Sequence, residues 1–404
     1  MIFVDTESFS LVFILICSFF VFLSIYLSKK VQFKNLILLG FVLRIFLMLA
    51  DYYHWFPILN SGVDSEVFHK VALENQRSSV WKIWTNYTYF LTFIYYLTNS
   101  SRLIAQYINV LLGVGVMVFV QRSLSLLEIK KSVQKNVILI VVLLPNLIIF
   151  SGILLREAWI EFFVAASLFY FLKWFKTGSI KNILLTIVMI MLATIMHSGT
   201  ISILIGYVIA FLIYNPKTQK TQISGNSIFS LILLIGIMIL LMNHFEMFTS
   251  KFSNFNFDDP NAFVELTNTT NGGGSDYLTW IKADNVSQCL LLSPLKMFYF
   301  LFSPLPTEWR GISDVIGFLI DSIVYLWLCI GIYRFRDLQG FGKPLRMFLL
   351  ISLLITVFIF AYGTYNAGTA FRHRAKLIPV ILITYAVSLN YSTDKHKKNY
   401  KLNA

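Results

Sequence analysis

The sequence predicts an all-α polytopic membrane protein, a single integral membrane domain over residues 1–404, and three observations carry that expectation. The chain is 57% hydrophobic and 13% charged, with a mean hydropathy of +0.71, well outside the usage of soluble domains. Apolar stretches near the ~20 residues that a bilayer requires recur along the whole chain. The 33 lysines and arginines punctuate those stretches. A net charge of +13 would suggest a nucleic-acid partner in a soluble protein, but here the cations serve topology, and no nucleic acid is expected.

Taken in order, the elements are eleven candidate spans at 9–28, 35–53, 102–121, 136–154, 158–175, 182–197, 199–214, 227–243, 314–333, 346–363 and 377–391. The first follows "MIFVDTES", which lacks a basic region, and no small-residue cleavage site comes after it; it reads as a retained helix. Two further apolar pieces, 85–98 and 287–304, are short or interrupted, the second by Pro294 and Pro304, and are expected to be re-entrant or interfacial. Most of the cations fall into alternate connections when the N-terminus is placed outside, which puts the basic tail 392–404 in the cytoplasm. The segments 54–84 and 244–286 then become extracytoplasmic loops, the second polar and glycine-rich ("NFNFDDPNAFVELTNTTNGGGSDY"). Cys17, Cys289 and Cys329 lie far apart without metal-ligand spacing, so neither a disulfide framework nor a zinc site is indicated.

Against this topology one stretch runs contrary to the charge rule. "NAGTAFRHRAKLIPV" places Arg372, His373, Arg374 and Lys376 on the outer side, where the rule disfavours cations. Such charges cost free energy unless they reach water, pair or bind something. The same side collects Asp64, Glu66 and His69 in "DSEVFHK", Arg156 and Glu157 in "LLREAW", and His197 in "MHSGT". Each has an ordinary explanation alone: a hairpin-tip ion pair for Arg156 and Glu157, a helix cap for His197, lipid headgroups for the late arginines, solvation for Asp64 and Glu66. Their convergence on one face, from separate loops and with both signs of charge, points instead to a polar cavity at the membrane surface.

Arginine presents planar multidentate donors to phosphate oxygens and stays charged at physiological pH. A lipid-linked diphosphate is the anion available at this depth. Arg156, Arg372 or Arg374 would stabilise it as a leaving group while His197 or a carboxylate such as Asp64 takes the proton of an acceptor hydroxyl. Glu157, Glu66, His69, His373 and Lys376 complete the candidate binding set. No metal site and no cofactor is expected, and no HExxH, GxSxG, Walker A or strand-linked GxGxxG motif is present to support protease, hydrolase, ATPase or dinucleotide readings.

The order of "VDSEVFHKVALEN", "LLREAWIEFFVAASLFYF", "HSGT" and "GTAFRHRAKLIP" resembles the Wzy-type polymerases of bacterial O-antigen and capsular polysaccharide, including EpsG-like members. That resemblance implies a GT-C-like helical fold in the bacterial cytoplasmic membrane. It also implies joining of undecaprenyl-diphosphate-linked oligosaccharide units outside that membrane, without a nucleotide sugar, alongside the flippase and chain-length regulator of the same pathway. By the resemblance, Arg156, His197, Arg372 and Arg374 match positions near the diphosphate. Two other readings stay open: "VDSEVFHKVA" also resembles the first outer loop of transferases that use polyprenyl-phosphate sugars, where a carboxylate helps hold a metal, and a lipid-oligosaccharide flippase or transporter is the non-enzyme alternative. The polar groups at span ends and the lack of a convincing internal repeat argue against the transporter.

Overall fold

A computed structural model describes residues 6–58, 62, 64–78, 81–82, 85–222, 232, 236, 260–270 and 274–393. They form an all-α bundle with one minimal hairpin, Tyr214–Asn215 against Lys220–Thr221. The first half runs through α1 (Thr6–Leu27), α2 (Lys34–Tyr52), α3 (Asp64–Arg77), α4 (Asn86–Thr98) and α5 (Arg102–Leu126). It continues with α6 (Lys131–Leu143), α7 (Pro145–Gly152), α8 (Glu157–Thr177), α9 (Ile180–Met196) and α10 (Ile203–Ile213). The second half comprises α11 (Pro260–Asn268), α12 (Val286–Phe302), α13 (Ile312–Arg334), α14 (Gly342–Tyr362), α15 (Ala367–Ala375) and α16 (Ile378–Tyr391).

Among the described residues six helices are long and apolar enough to cross a membrane, or seven if α6 and α7 count as one span. That pair covers most of the expected span 136–154, with a bend of 46° where Pro145 starts α7. Proline lacks the N–H that would continue α6, yet it is well tolerated at a first helical position. The expected spans at 182–197, 199–214 and 377–391 are present as shorter apolar helices, and 85–98 and 287–304 appear as α4 and α12. The expected span 227–243, nearly all of the basic tail 392–404 and much of the loop 244–286 lie outside the described residues. The first loop, 54–84, contains the helix α3, and the described part of 244–286 contains α11.

Packing follows hydropathy. α1 buries only Ser10, Ile14 and Ile25 and turns Phe9, Leu15, Phe19 and Phe20 outward, the pattern of a peripheral helix facing lipid. α16 is the opposite case, buried continuously from Ile378 to Ser388 and packed against α5, α6, α8, α13 and α14. Lysines gather at one end of the bundle, where Lys176 donates to the Leu126 carbonyl at 2.9 Å and pairs with Glu128 at 2.5 Å, and where the backbone N–H of Lys130 meets Asn390 at 3.0 Å. The polar residues singled out above lie at the other end.

Candidate functional site

The site is organised by α15, which begins where the Asn366 side chain accepts from the backbone N–H of Thr369 at 2.8 Å. Residues two apart on a helix point about 200° apart, so Arg372 and Arg374 leave α15 in different directions. Arg372 reaches across to α8, where its Nη2 and Nε contact Glu157 Oε1 at 2.9 and 3.3 Å, and to α3, where its Nη1 pairs with Asp64. Three elements far apart in sequence are thereby joined by one guanidinium. Burial would pull the Arg372 pKa down, but the carboxylates of Glu157 and Asp64 outweigh it and hold the group above the usual arginine range. The Lys376 ammonium, fully buried, lies 4.0 Å from the same Glu157 oxygen.

Arg156 occupies the position before Glu157, at the N-terminus of α8, without a side-chain capping hydrogen bond. It makes no side-chain hydrogen bond or ion pair among the described residues, and its Nε is buried without a partner. Its charge acts on the same Glu157, Arg372 and Asp64. The cluster therefore contains one guanidinium held by two carboxylates and one that is only half-buried and not so held. One turn further along α8, Glu161 is 1% exposed with an oxygen lacking a hydrogen bond. Arg44 of α2, also buried, donates to the Gly40 and Val141 carbonyls at 3.0 and 3.2 Å.

Beside this cluster lie two histidines. His197 ends α9, and its ring meets that of His373 edge-on with centroids 4.7 Å apart. Phe360 of α14 packs on both rings at 5.4 Å, and the Thr364 hydroxyl hydrogen-bonds His373 Nδ1 at 3.0 Å. Gly199, in the "HSG" turn, makes that arrangement possible: a Cβ there would sit 2.3 Å from Phe360 Cε1. Lys376 lies 5.9 Å from the centre of the Phe360 ring, so the histidine pair and the charged cluster share a wall.

Arg374 takes a different course. Wholly buried, it pairs with Asp321 of α13 and donates to the Leu301 and Ser303 carbonyls at 3.0 and 2.6 Å and to the Ser322 hydroxyl at 3.1 Å. Asn146 of α7 also holds Asp321. All of the Arg374 donor groups are engaged by the protein, which sets it apart from Arg372 as a structural cation. Glu66 and His69, both on α3, join a neighbouring network: Arg102 pairs with Glu66 at 2.6 Å and with Asp51 at 3.5 Å, while His69 Nδ1 meets the Tyr95 hydroxyl at 2.6 Å. Burial, with Arg102 nearby, lowers the His69 pKa below its ordinary value.

The structure thus gathers Asp64, Arg156, Glu157, Arg372 and Lys376, sets His197 and His373 beside them, and leaves Glu66, His69 and Arg374 in adjoining networks. Sequence reasoning missed Glu161, Asp51, Arg102 and Thr364. Glu161 carried a signal, a carboxylate one turn inside an apolar span, whereas Thr364 has no distinguishing pattern. Among the described residues no three His, Cys, Asp or Glu side chains are grouped as ligands for a metal ion. No family model matches the chain, and no curated protein or solved structure matches it either.

Proposed function

We propose that the protein is a polysaccharide polymerase that joins undecaprenyl-diphosphate-linked oligosaccharide units at the outer face of a bacterial cytoplasmic membrane. The observation that carries the reading is Arg156: a guanidinium without a carboxylate of its own, beside an Arg372 already fixed by Asp64 and Glu157. A cation near the membrane boundary with no carboxylate in ion-pair contact is suited to an anion that arrives there, and arginine matches phosphate oxygens in the plane of its donors. The resemblance to Wzy-type polymerases rests on the same residues.

In the proposed reaction the bond between the anomeric carbon of the donor glycan and its phosphate oxygen breaks. A new bond forms from that carbon to a hydroxyl oxygen of the acceptor unit. The leaving lipid diphosphate gains negative charge, which Arg156 and Arg372 stabilise, with Lys376 adding to the field from beneath. His197 takes the hydroxyl proton, its ring oriented by His373, which Thr364 holds. Asp64 and Glu157 keep Arg372 extended toward the leaving group.

Purified protein supplied with a lipid-diphosphate oligosaccharide should polymerise it in excess EDTA. Arg156→Lys and Arg372→Lys should each slow the reaction by roughly the 10²–10³-fold seen when an oxyanion donor is lost, with insertion unchanged. His197→Ala should cost on the order of 10²–10⁴-fold. Activity abolished by EDTA and restored by Mg²⁺ or Mn²⁺, together with a tolerant His197, would replace this reading with a metal-assisted transferase of single sugars.

A further inference from the structure

A cavity opens next to the histidine pair and takes no part in the proposed reaction. It has a volume of about 510 Å³, within the range of small-molecule sites, and Thr364, which holds His373, forms part of its wall. Thr270 and Thr279 bring hydroxyl groups to the lining and Tyr277 and Tyr365 bring aromatic ones, while the Asn268 amide is held at both ends by the Ala283 backbone. Hydroxyl and aromatic groups together are chemistry that a sugar uses for hydrogen bonding and stacking. Lys282, Lys296 and Asp276 are the charged residues of its lining.

Lys296 is the informative residue. It is 9% exposed, its Nζ donates to the Thr267 carbonyl at 2.6 Å, and it lies 5.3 Å from the centre of the Tyr362 ring. An ammonium has three protons, and no carboxylate lies within ion-pair distance of Lys296 among the described residues. A buried cation without an opposing carboxylate is costly, and an anionic ligand group in the adjoining space would relieve that cost.

We propose that this cavity is a glycan subsite that takes a sugar unit bearing an acidic group, with Lys296 as its anion contact and Lys282 at its rim. The proposal rests on the polymerase reading for its place beside the acceptor hydroxyl, because the Thr364–His373 contact links the cavity to the proton acceptor. It makes Lys296 a specificity-determining residue: a carboxylate or phosphate substituent on the acceptor unit would be selected over a neutral sugar of the same size.

Binding of two soluble probes to the purified full-length protein in detergent tests this by calorimetry. Trigalacturonic acid should bind about tenfold or more tighter than maltotriose at low salt, a margin fitting one charge-assisted hydrogen bond. The margin should shrink as salt is raised. Lys296→Met should bring the two affinities together, and Lys296→Arg should keep them apart. Should Lys296→Met fail to fold, Lys282→Met is expected to narrow the margin while leaving the neutral probe unaffected. Equal affinity of the wild type for the two probes, or an undiminished margin in Lys296→Met, overturns the proposal. Displacement of trigalacturonic acid by glycerol phosphate at similar concentration would assign the cavity to an anionic lipid headgroup and equally overturn it. Neither probe carries a lipid or a diphosphate, so binding succeeds or fails independently of the polymerisation assay.

Discussion

Arg372 and Arg374 share a side-chain type and a stretch of six residues, yet burial and partners give them opposite roles. Arg374 is enclosed by Asp321, Ser322 and two carbonyls, so truncating it strands a buried carboxylate. Arg374→Met should lower the stability of the purified protein by about 3–5 kcal/mol, the usual cost of breaking a buried ion pair from one side. Replacing both partners, as Arg374→Met with Asp321→Leu, should recover a large part of that loss. Thermal melts in detergent would check this, with Arg372→Lys melting close to the wild type. A stable Arg374→Met protein that is inactive would instead make Arg374 a ligand contact. That distinction was partly legible beforehand, since alternate residues diverge in either a helix or a strand, but the identity of the partner was not. Asp321 lies 53 positions away on another helix.

Between elements, close approach takes over from charge. α10 and α14 meet at Gly206, where a Cβ would lie 2.1 Å from the Ser352 hydroxyl and 2.6 Å from both the Phe348 carbonyl and the Ser352 backbone nitrogen. Two of those three atoms are backbone and cannot rotate away. Gly206→Ala should therefore push α10 off α14 and destabilise the protein by roughly 1–3 kcal/mol, as overpacking does. α14 carries Phe360 and leads to Thr364, so the histidine pair should also shift, and polymerisation is expected to fall more than the melting temperature alone would suggest. A variant with wild-type melting and activity would show that this contact has slack. The bend at Pro145 has a local sequence cause, whereas the contact at Gly206 has none: "LIGYV" reads like any apolar helix until its neighbour is known.

For the molecule as a whole, one end of the bundle is lysine-rich and the other holds the mixed-charge cluster, so the proposed reaction requires a defined orientation. A cysteine introduced by Gly368→Cys, at an exposed position near the cluster, should react with an impermeant maleimide in intact cells. One introduced by Gln219→Cys, in the hairpin connection at the other end, should react only after permeabilisation. The reverse pattern would put the cluster in the cytoplasm, away from any lipid-linked unit on the outer surface, and end the polymerase reading.

Hydropathy and charge are local properties of a chain in a bilayer, because each span must satisfy its own backbone hydrogen bonds. For that reason the all-α membrane class and the positions of most described helices could be read from residues in order, as could the gathering of polar groups at one end. Pairing is not local. Whether Arg156 is held by a carboxylate while Arg372 has two, whether Arg374 faces a ligand or Asp321, and whether Lys296 lines a cavity all depend on helices that meet only after folding. The free energy of a charge at a membrane boundary is set by the few atoms within hydrogen-bonding reach, and only the tertiary structure decided which atoms those are.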